Sequence, residues 1–250
     1  MVPSPISLSN SIMKRSLIAG LVAVSSLLPY SGASVAGISL NGTRVVYTAQ
    51  SKEASVLVRN PSKQDVMIQS WLESDDQKGD LPFAITPSLS RLGAEKRQTL
   101  RIFYAGQGLP TDRESVFWLN VQEIPQKSDG ENTLQVAVRQ RIKLFYRPTN
   151  LAGKPEDAPK QLQWRWRAAG GKYGMEVVNN TPYYVSLVKA TLHSGAQKHP
   201  IDTEMIPPQS TRQLSVKNYN GQSLAPGAKV DFESINDFGA AEENNATVSN

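Results

Sequence analysis

Apolar and polar residues alternate along most of this 250-residue chain, and the alternation breaks at glycine, proline and asparagine. Alternation places every second side chain on the same face, so it predicts strands with one buried face. Between Gly37 and Arg147 the pattern predicts about seven short strands and no helix. Short alternating strands separated by turn residues are typical of an all-β sandwich of the immunoglobulin-like type.

The longest alternating stretch runs from Leu134 to Tyr146. Six of its apolar residues share one parity: Leu134, Val136, Val138, Ile142, Leu144 and Tyr146. The pattern predicts one strand of about 12 residues, which would be roughly 40 Å long and about twice the usual length. The strand is expected to end at Arg147, because the following Pro148 has no N–H to donate to a strand ladder.

A second set of weaker strands follows a segment rich in breakers. Residues 149–160 contain two prolines and a glycine and are predicted to be an interdomain linker. Residues 161–250 are predicted to form a smaller β-sandwich whose last certain strand is 229–235. The tail after Gly239 is polar, so this second domain is expected to lack a complete last strand.

The first 36 residues have the order of a secretory signal peptide. Lys14 and Arg15 precede an apolar run of 13 residues, and small residues end the segment at Ala36. We expect cleavage before Gly37, and Met13 is an alternative start. The run is shorter than the about 20 residues of a membrane span, so export without membrane insertion is favoured over an N-terminal anchor.

Composition excludes several kinds of chemistry. The chain has no cysteine, which excludes disulfides and thiolate catalysis, and only two histidines, His193 and His199, both predicted to lie at the surface. No metal site, nucleophile elbow or P-loop is visible, so the chain is predicted to be non-enzymatic and to need no cofactor. The net charge of +5 is too small and too dispersed to indicate nucleic-acid binding.

Six segments in order resemble the signature blocks of one family, the periplasmic pilus-assembly chaperones of the chaperone–usher pathway. The segments are 41–47, 112–120, 123–125, 141–148, 179–184 and 235–239. They span nearly the whole chain after the signal peptide. The short loop from Gln126 to Asn132 resembles the short-loop subclass of that family.

The resemblance implies two immunoglobulin-like β-sandwich domains, 37–148 and 161–250, in a boomerang arrangement. It implies a chaperone in the periplasm that stabilises pilus or fimbrial subunits by donor-strand complementation and delivers them to an outer-membrane usher. The alternative is a two-domain immunoglobulin-like extracytoplasmic adhesive or ligand-binding module. A self-capping dimer of the free protein, and the identity of the pilus system, are left open by the sequence.

The resemblance also implies a binding site for the subunit. By motif, Leu134, Val136 and Val138 are donor-strand residues, and Arg44 and Lys143 anchor the C-terminal carboxylate of the subunit. From the residues alone, the three apolar side chains could face the chain's own core, and the two cations could be a solvated basic edge. Lys143 has the opposite parity to Leu134, so a twist or bulge is expected between donor and anchor.

Three charged residues match a further feature of the family, an ion-pair network between the domains. They are Glu114, Arg147 and Asp237. Arg147 ends the first predicted domain and Asp237 lies late in the second, so only a bent two-domain chain would bring them together. The resemblance implies that the network fixes the interdomain angle.

Overall fold

The chain is built from strands around two hydrophobic cores. The structure is a computed structural model, and it describes residues 37–75, 81–125, 136–169, 172–219 and 223–249. The predicted signal peptide, the loop 126–132 and Leu134 lie outside the described residues. One cluster of buried apolar side chains lies within residues 38–146 and the other within residues 158–232. In the described ranges, no helix has the length and apolar character needed to span a membrane.

The first core lies between two sheets. Its strands are β1 Ser39–Leu40, β2 Arg44–Thr48, β3 Ala54–Arg59, β4 Val66–Glu73, β5 Phe83–Thr86, β6 Leu89–Leu92, β7 Arg97–Tyr104, β8 Ser115–Ile124 and β9 Arg139–Arg147. One sheet has the order β1-β3-β7-β5, and the other has the order β2-β9-β8-β4-β6. Strand β9 is antiparallel to β8 and parallel to the short edge strand β2.

Alternating apolar residues fill the space between these two sheets. In β3, Ala54, Val56 and Val58 are buried and the residues between them reach solvent. Aromatic rings connect the sheets, since Tyr104 of β7 and Tyr146 of β9 have centroids 4.4 Å apart. Burial of this apolar surface drives the two sheets together, and it fixes which face of β9 points inward.

The second core is enclosed by a single curled sheet. Its strands are β10 Gln163–Ala169, β11 Lys172–Asn179, β12 Val185–Ser194, β13 Gln197–Ile201, β14 Met205–Ile206, β15 Ser210–Leu214, β16 Lys229–Ile235 and β17 Ala241–Ser249. The sheet order is β13-β12-β16-β17-β10-β11-β15, and β14 pairs with β12. Trp164 packs in the centre, 1% exposed, with its ring centroid 5.0 Å from that of Phe232.

The two ends of this curled sheet meet. Ile201, at the end of β13, forms a bridge with Val216, just beyond β15. Backbone N–H groups close the contact: Asp202 N–H donates to the Ser215 carbonyl at 2.9 Å, and Lys217 N–H donates to the Pro200 carbonyl at 2.8 Å. At this point the second domain therefore has no free strand edge.

The tail was expected to leave the last strand incomplete, and the structure differs. Residues Ala241–Ser249 form β17, and its residues up to Thr247 pair with the whole of β16, from Ile235 opposite Ala241 to Lys229 opposite Thr247. Strand β17 also pairs in parallel with the start of β10. Its pattern is polar because the strand is mostly exposed and only Ala246 and Val248 pack on the core.

The long alternating stretch forms a shorter strand than predicted. Strand β9 begins at Arg139, and residues 136–138 have no regular secondary structure. The pairing with β8 ends where Gln122 meets Arg139, and only one further backbone bond, from Glu123 N–H to the Val138 carbonyl, continues it. Alternation alone does not form a strand, because a strand also needs a partner for its backbone.

The segment predicted as a linker is partly ordered against the second core. Two short 3-10 helices, Pro155–Asp157 and Pro159–Gln161, flank Ala158, which is 1% exposed and packs in that core. The hydroxyl of Tyr183 donates to the Gly153 carbonyl at 3.1 Å. The second half of the segment therefore packs with the second core.

The prediction that both histidines lie at the surface is wrong for His199, which is 7% exposed. His199 pairs with Leu192 across the β12–β13 hairpin, and its ring meets Tyr219 edge-on at 4.8 Å. His193 lies on the opposite face, with Nε2 2.9 Å from the Asp231 carboxylate. The hairpin turn between the histidines gives them opposite orientations, which a spacing of six residues did not indicate.

Candidate functional site

Arg147 lies at the centre of an ion-pair network at the end of β9. Its Nε donates to Glu114 Oε1 at 2.6 Å, and its two Nη groups donate to the carboxylate of Asp237 at 2.7 and 2.9 Å. Glu114 precedes β8, and Asp237 lies in the turn between β16 and β17. The second oxygen of Glu114 accepts from the Tyr184 N–H at 2.8 Å. The structure thus brings together the three residues predicted for this network.

The network is largely desolvated. The side chains of Glu114 and Arg147 are 2% and 16% exposed, whereas that of Asp237 is 36% exposed. Burial raises the pKa of Glu114, although the charge of Arg147 and the Tyr184 N–H oppose that shift. Burial alone would lower the pKa of Arg147, but hydrogen bonds and attraction from Asp237 and Glu114 raise it. Arg147 is therefore always charged and supplies the counter-charge that buried Glu114 requires.

Arg44 and Lys143 form a pair of neighbouring cations on the outer face of the five-stranded sheet. They are directly paired across β2 and β9, while the adjacent Val45 and Leu144 point into the core. Arg44 Nη1 donates to the Ile235 carbonyl at 2.9 Å. Arg44 Nε is buried and has no hydrogen-bond partner among the described residues.

Two acidic residues on the same side of the sheet, Glu73 and Asp75, interact with another cation, Arg141. Arg141 donates from Nη2 to Asp75 at 2.9 Å and lies 3.6 Å from Glu73. The Arg141 guanidinium stacks on the ring of Trp118 at 3.8 Å, and Lys143 Nζ is 5.8 Å from the same ring. In the part of the chain that the structure describes, neither Arg44 nor Lys143 has a carboxylate within ion-pair distance.

The surroundings of Arg44 and Lys143 disfavour their charged forms. Burial lowers the pKa of Lys143, and the charge of Arg44 lowers it further. Burial also lowers the pKa of Arg44, against the attraction of Asp237 and Glu114. A half-buried cation pair that has no carboxylate partner among the described residues is a suitable binding site for a carboxylate, because charge-assisted hydrogen bonds are the strongest kind.

An unpaired strand edge leads to this cation pair. Strand β8 pairs with β9 along Arg139–Tyr146, but β2 pairs with β9 only along Lys143–Arg147. Within the described residues, Arg139–Ile142 therefore have a strand neighbour on one side only. Before them, Val136 is 67% exposed and Val138 is half-buried.

A cavity of about 360 Å³ adjoins the cation pair. Its walls include Arg44, Phe145, Tyr184 and the turn residue Phe238, but Lys143 does not line it. The structure therefore places the two predicted anchor residues side by side on the sheet, with only Arg44 open to the cavity.

Some groups at this site were not predicted. The Ile235 carbonyl binds Arg44, and the Tyr184 N–H binds Glu114. Both are backbone groups, so no side-chain pattern could have indicated them. Phe238 belongs to the segment 235–239, which resembles a family motif, but only its neighbour Asp237 was assigned a role there.

Two family models cover the described part of the chain almost entirely. Residues 37–152 match the pili and flagellar-assembly chaperone, PapD N-terminal domain, and residues 157–246 match the pili assembly chaperone PapD, C-terminal domain. These matches, together with the two cores, confirm the predicted all-β fold with two immunoglobulin-like domains.

Individual relatives agree with the family models. The probable fimbrial chaperone YadV of Escherichia coli K12 is 43% identical over 232 residues, which are 88% of this chain and 94% of the relative. A crystal structure of YadV superimposes with a TM-score of 0.74 at 44% identity and covers 84% of this chain and 98% of that one. A structure of the Salmonella enterica SafA pilin in complex with the SafB chaperone has a TM-score of 0.69 at 28% identity, covering 84% and 96%.

Proposed function

This chain belongs to the family of pili and flagellar-assembly chaperones, and we propose that it binds pilus subunits in the periplasm and delivers them to an outer-membrane usher. The proposal depends on one observation: the open edge of β9 along Arg139–Ile142 ends at the cation pair formed by Arg44 and Lys143. An open edge binds an extended segment through its backbone, and unneutralised cations bind an anion.

The position of β2 sets where the bound segment ends, and the cation pair sets its direction. Strand β2 occupies the place beside β9 from Lys143 onward. A segment that pairs with Arg139–Ile142 is blocked by β2 and has to end near Lys143. If its C-terminal carboxylate is the end that meets the cations, the segment runs parallel to β9, as β2 does. This arrangement explains why the site would select a chain terminus.

Val136 and Val138 are suited to occupy the apolar groove of a subunit that lacks one strand. Val136 is 67% exposed, so its apolar side chain is accessible to a partner. The two valines lie about 17 to 23 Å from Lys143 along an extended chain. A subunit that lacks one strand of its own sheet would accept alternating apolar side chains from this segment while its C-terminus reaches the cations. Leu134 would continue the same face.

Further support comes from the N-terminal segment and from the relatives. The order of basic, apolar and small residues up to Ala36 is that of an exported chain, which agrees with a periplasmic location. The similar SafB chaperone was solved with a pilin bound. We propose that the network of Glu114, Arg147 and Asp237 holds the two domains at the angle that keeps this site open.

The test is recovery of a pilus subunit from the same genome, co-expressed with the tagged chain and extracted from periplasm. Val136→Asp and Lys143→Ala should each reduce the recovered subunit by about tenfold or more, because one places a charge in an apolar groove and the other removes a carboxylate ligand. Exposed residues of the second domain provide matched controls, Val188→Asp and Lys189→Ala, which should leave recovery unchanged.

Thermal unfolding separates binding from folding in this experiment. Val136 is mostly exposed, so Val136→Asp should keep the melting temperature of the parent chain. A variant that unfolds would instead mean that Val136 packs in the chain's own core. Full recovery of subunit with both Val136→Asp and Lys143→Ala would contradict the proposal and would favour a two-domain adhesive or ligand-binding module.

A further inference from the structure

The turn between β16 and β17 displays an exposed aromatic residue on a rigid frame. The side chain of Asn236 caps the turn, with its Oδ1 accepting from the N–H groups of Phe238 and Ala240, both at 3.0 Å. The backbone adds two bonds, from Asn236 N–H to the Ala240 carbonyl at 2.9 Å and from Gly239 N–H to the Asn236 carbonyl at 3.0 Å. Gly239 has φ +85°, a conformation that favours glycine.

Three contacts fasten this turn to the strands that carry the cation pair. Asp237 binds Arg147 through both carboxylate oxygens. The Ile235 carbonyl accepts from Arg44. Gly239 lies so close to Thr43, the residue before Arg44, that a Cβ on Gly239 would come within 2.5 Å of the threonine hydroxyl. The turn therefore has a fixed position relative to Arg44.

The side chain of Phe238 takes no part in fixing the turn. It is 94% exposed, although it is one of the larger apolar side chains in the protein. Such exposure contributes nothing to the core, and the neighbouring turn residues already fix the backbone. An aromatic side chain has only two rotatable χ angles, so it loses little conformational entropy when it contacts a partner, and exposed aromatic residues on a fixed backbone are effective recognition contacts.

Phe238 lies at the rim of the cavity that contains Arg44. The Arg44 guanidinium is held from one side by Ile235, and its buried Nε still lacks a partner within the described residues. The acids Glu114 and Asp237 on the cavity wall are already paired with Arg147, and the two other acids of the wall, Glu156 and Glu242, are exposed to solvent. A carboxylate at Arg44 would thus have an aromatic ring close to it.

We propose that Phe238 contacts the side chain of the C-terminal residue of the bound segment and makes the site prefer an apolar or aromatic residue at that position. This inference rests on the proposed function, since it requires a chain terminus held by Arg44 and Lys143. It gives the second domain a direct part in recognition, because Ile235 orients Arg44 and Phe238 contacts the C-terminal residue of the bound segment.

Synthetic peptides test the inference with the full chain after signal removal. The peptides have the same alternating apolar sequence and a free C-terminal carboxylate, and they differ only in the last residue, which is Phe, Leu, Ala or Ser. A further Phe-terminated peptide carries a C-terminal amide. Binding is measured by fluorescence anisotropy for the parent chain and for Phe238→Ala, Phe238→Tyr and Lys143→Ala.

The parent chain should bind the Phe-terminated peptide about five- to tenfold more tightly than the Ser-terminated one, which is the size of one aromatic contact. Phe238→Ala should reduce that ratio to about twofold or less, and Phe238→Tyr should keep it, because tyrosine offers the same ring face. Phe238→Ala should retain the preference for carboxylate over amide, whereas Lys143→Ala should lose that preference.

These readouts separate the two proposals. A preference for Phe that persists in Phe238→Ala, or that is absent from the parent chain, overturns the inference while leaving the carboxylate anchor intact. Equal binding of the acid and the amide, or no binding of either to the parent chain, overturns the proposed function and the inference with it. An unchanged peptide preference in Phe238→Ala, together with a changed oligomeric state in size-exclusion chromatography, would make Phe238 a self-association contact instead.

Discussion

The two domains treat their sheet edges in opposite ways. The second domain closes its curled sheet by joining β13 to β15 through Ile201 and Val216, with flanking backbone bonds of 2.8 and 2.9 Å. The first domain leaves Arg139–Ile142 of β9 without a strand neighbour on one side in the part that the structure describes. Unpaired edges promote aggregation, and proteins normally protect them. An edge left open beside a closed one is therefore more consistent with binding than with incomplete folding.

The difference extends to the charges. In the second domain, several exposed cations have partners, such as Lys189 with Glu233 at 2.9 Å and Lys217 with Asp202 at 2.7 Å. In the first domain, Arg44 and Lys143 are half-buried beside each other, and among the described residues no carboxylate pairs with them. Two neighbouring cations raise the free energy of the unbound protein. An anionic ligand that neutralises them removes this unfavourable interaction.

The strongest test of the comparison removes Arg147, which joins the two domains. Arg147→Ala should lower the free energy of unfolding by about 3–5 kcal/mol, because it leaves the buried Glu114 carboxylate without a counter-charge. Asp237→Asn should cost less, since the Asp237 side chain is more exposed and the amide oxygen still accepts one bond. Urea unfolding measures both, and equal losses would contradict the view that Glu114 carries the cost.

A smaller effect is expected from opening the closed edge of the second domain. Lys217→Pro removes the N–H that donates to the Pro200 carbonyl, so the free energy of unfolding should fall by about 1–2 kcal/mol and the chain should associate more readily. Lys217→Ala is the matched control: it keeps the N–H and loses only an exposed ion pair with Asp202, about 0–1 kcal/mol.

Unfolding and light scattering are the readouts for Lys217→Pro. If the proline variant stays monomeric and as stable as Lys217→Ala, the bridge between β13 and β15 does not protect the second domain. The contrast between a closed and an open domain would then lose its physical basis.

The sequence predicted the fold where side chains carry the signal, but not the contrast between the two edges. Alternation in β3, β4, β7 and β8 indicated the first sandwich, because one face of each strand is buried. It failed where pairing decides the structure. Strand β17 forms from a polar segment because β16 and β10 bind it on both sides. Residues 136–138 alternate well but form no strand, and the backbone bond from Glu123 N–H to the Val138 carbonyl is their link to β8 within the described residues.

The residues of the candidate site also fall into those that the sequence indicated and those that only the fold shows. The resemblance to the family's motifs indicated Arg44, Lys143 and the ion-pair residues, which residue types alone did not. The sequence could not indicate the Ile235 carbonyl or the Tyr184 N–H, because nearly every residue has these backbone groups and only the fold decides where they point. The exposure of Phe238 was equally hidden, since an apolar residue is by default expected in a core.

The smallest predicted effect concerns the pH dependence of carboxylate binding. Burial and the charge of Arg44 lower the pKa of Lys143 from its usual 10.5, so in the free chain Lys143 loses its proton at a lower pH than an exposed lysine. A bound carboxylate favours the charged ammonium, so affinity for a carboxylate-terminated peptide should fall as the pH rises through that pKa. Anisotropy titrations between about pH 7 and 10 would measure a loss of up to about tenfold.

Lys143→Arg should flatten this profile, because a guanidinium keeps its charge over that range. The amide-terminated peptide should show no pH dependence with either chain. Unfolding does not account for the loss: a lysine whose folded pKa is lowered binds fewer protons in the folded state, so its contribution to stability increases with pH. If Lys143→Arg loses affinity in parallel with the parent chain, another group controls the pH dependence, and the open edge of the first domain does not depend on Lys143 to hold its ligand.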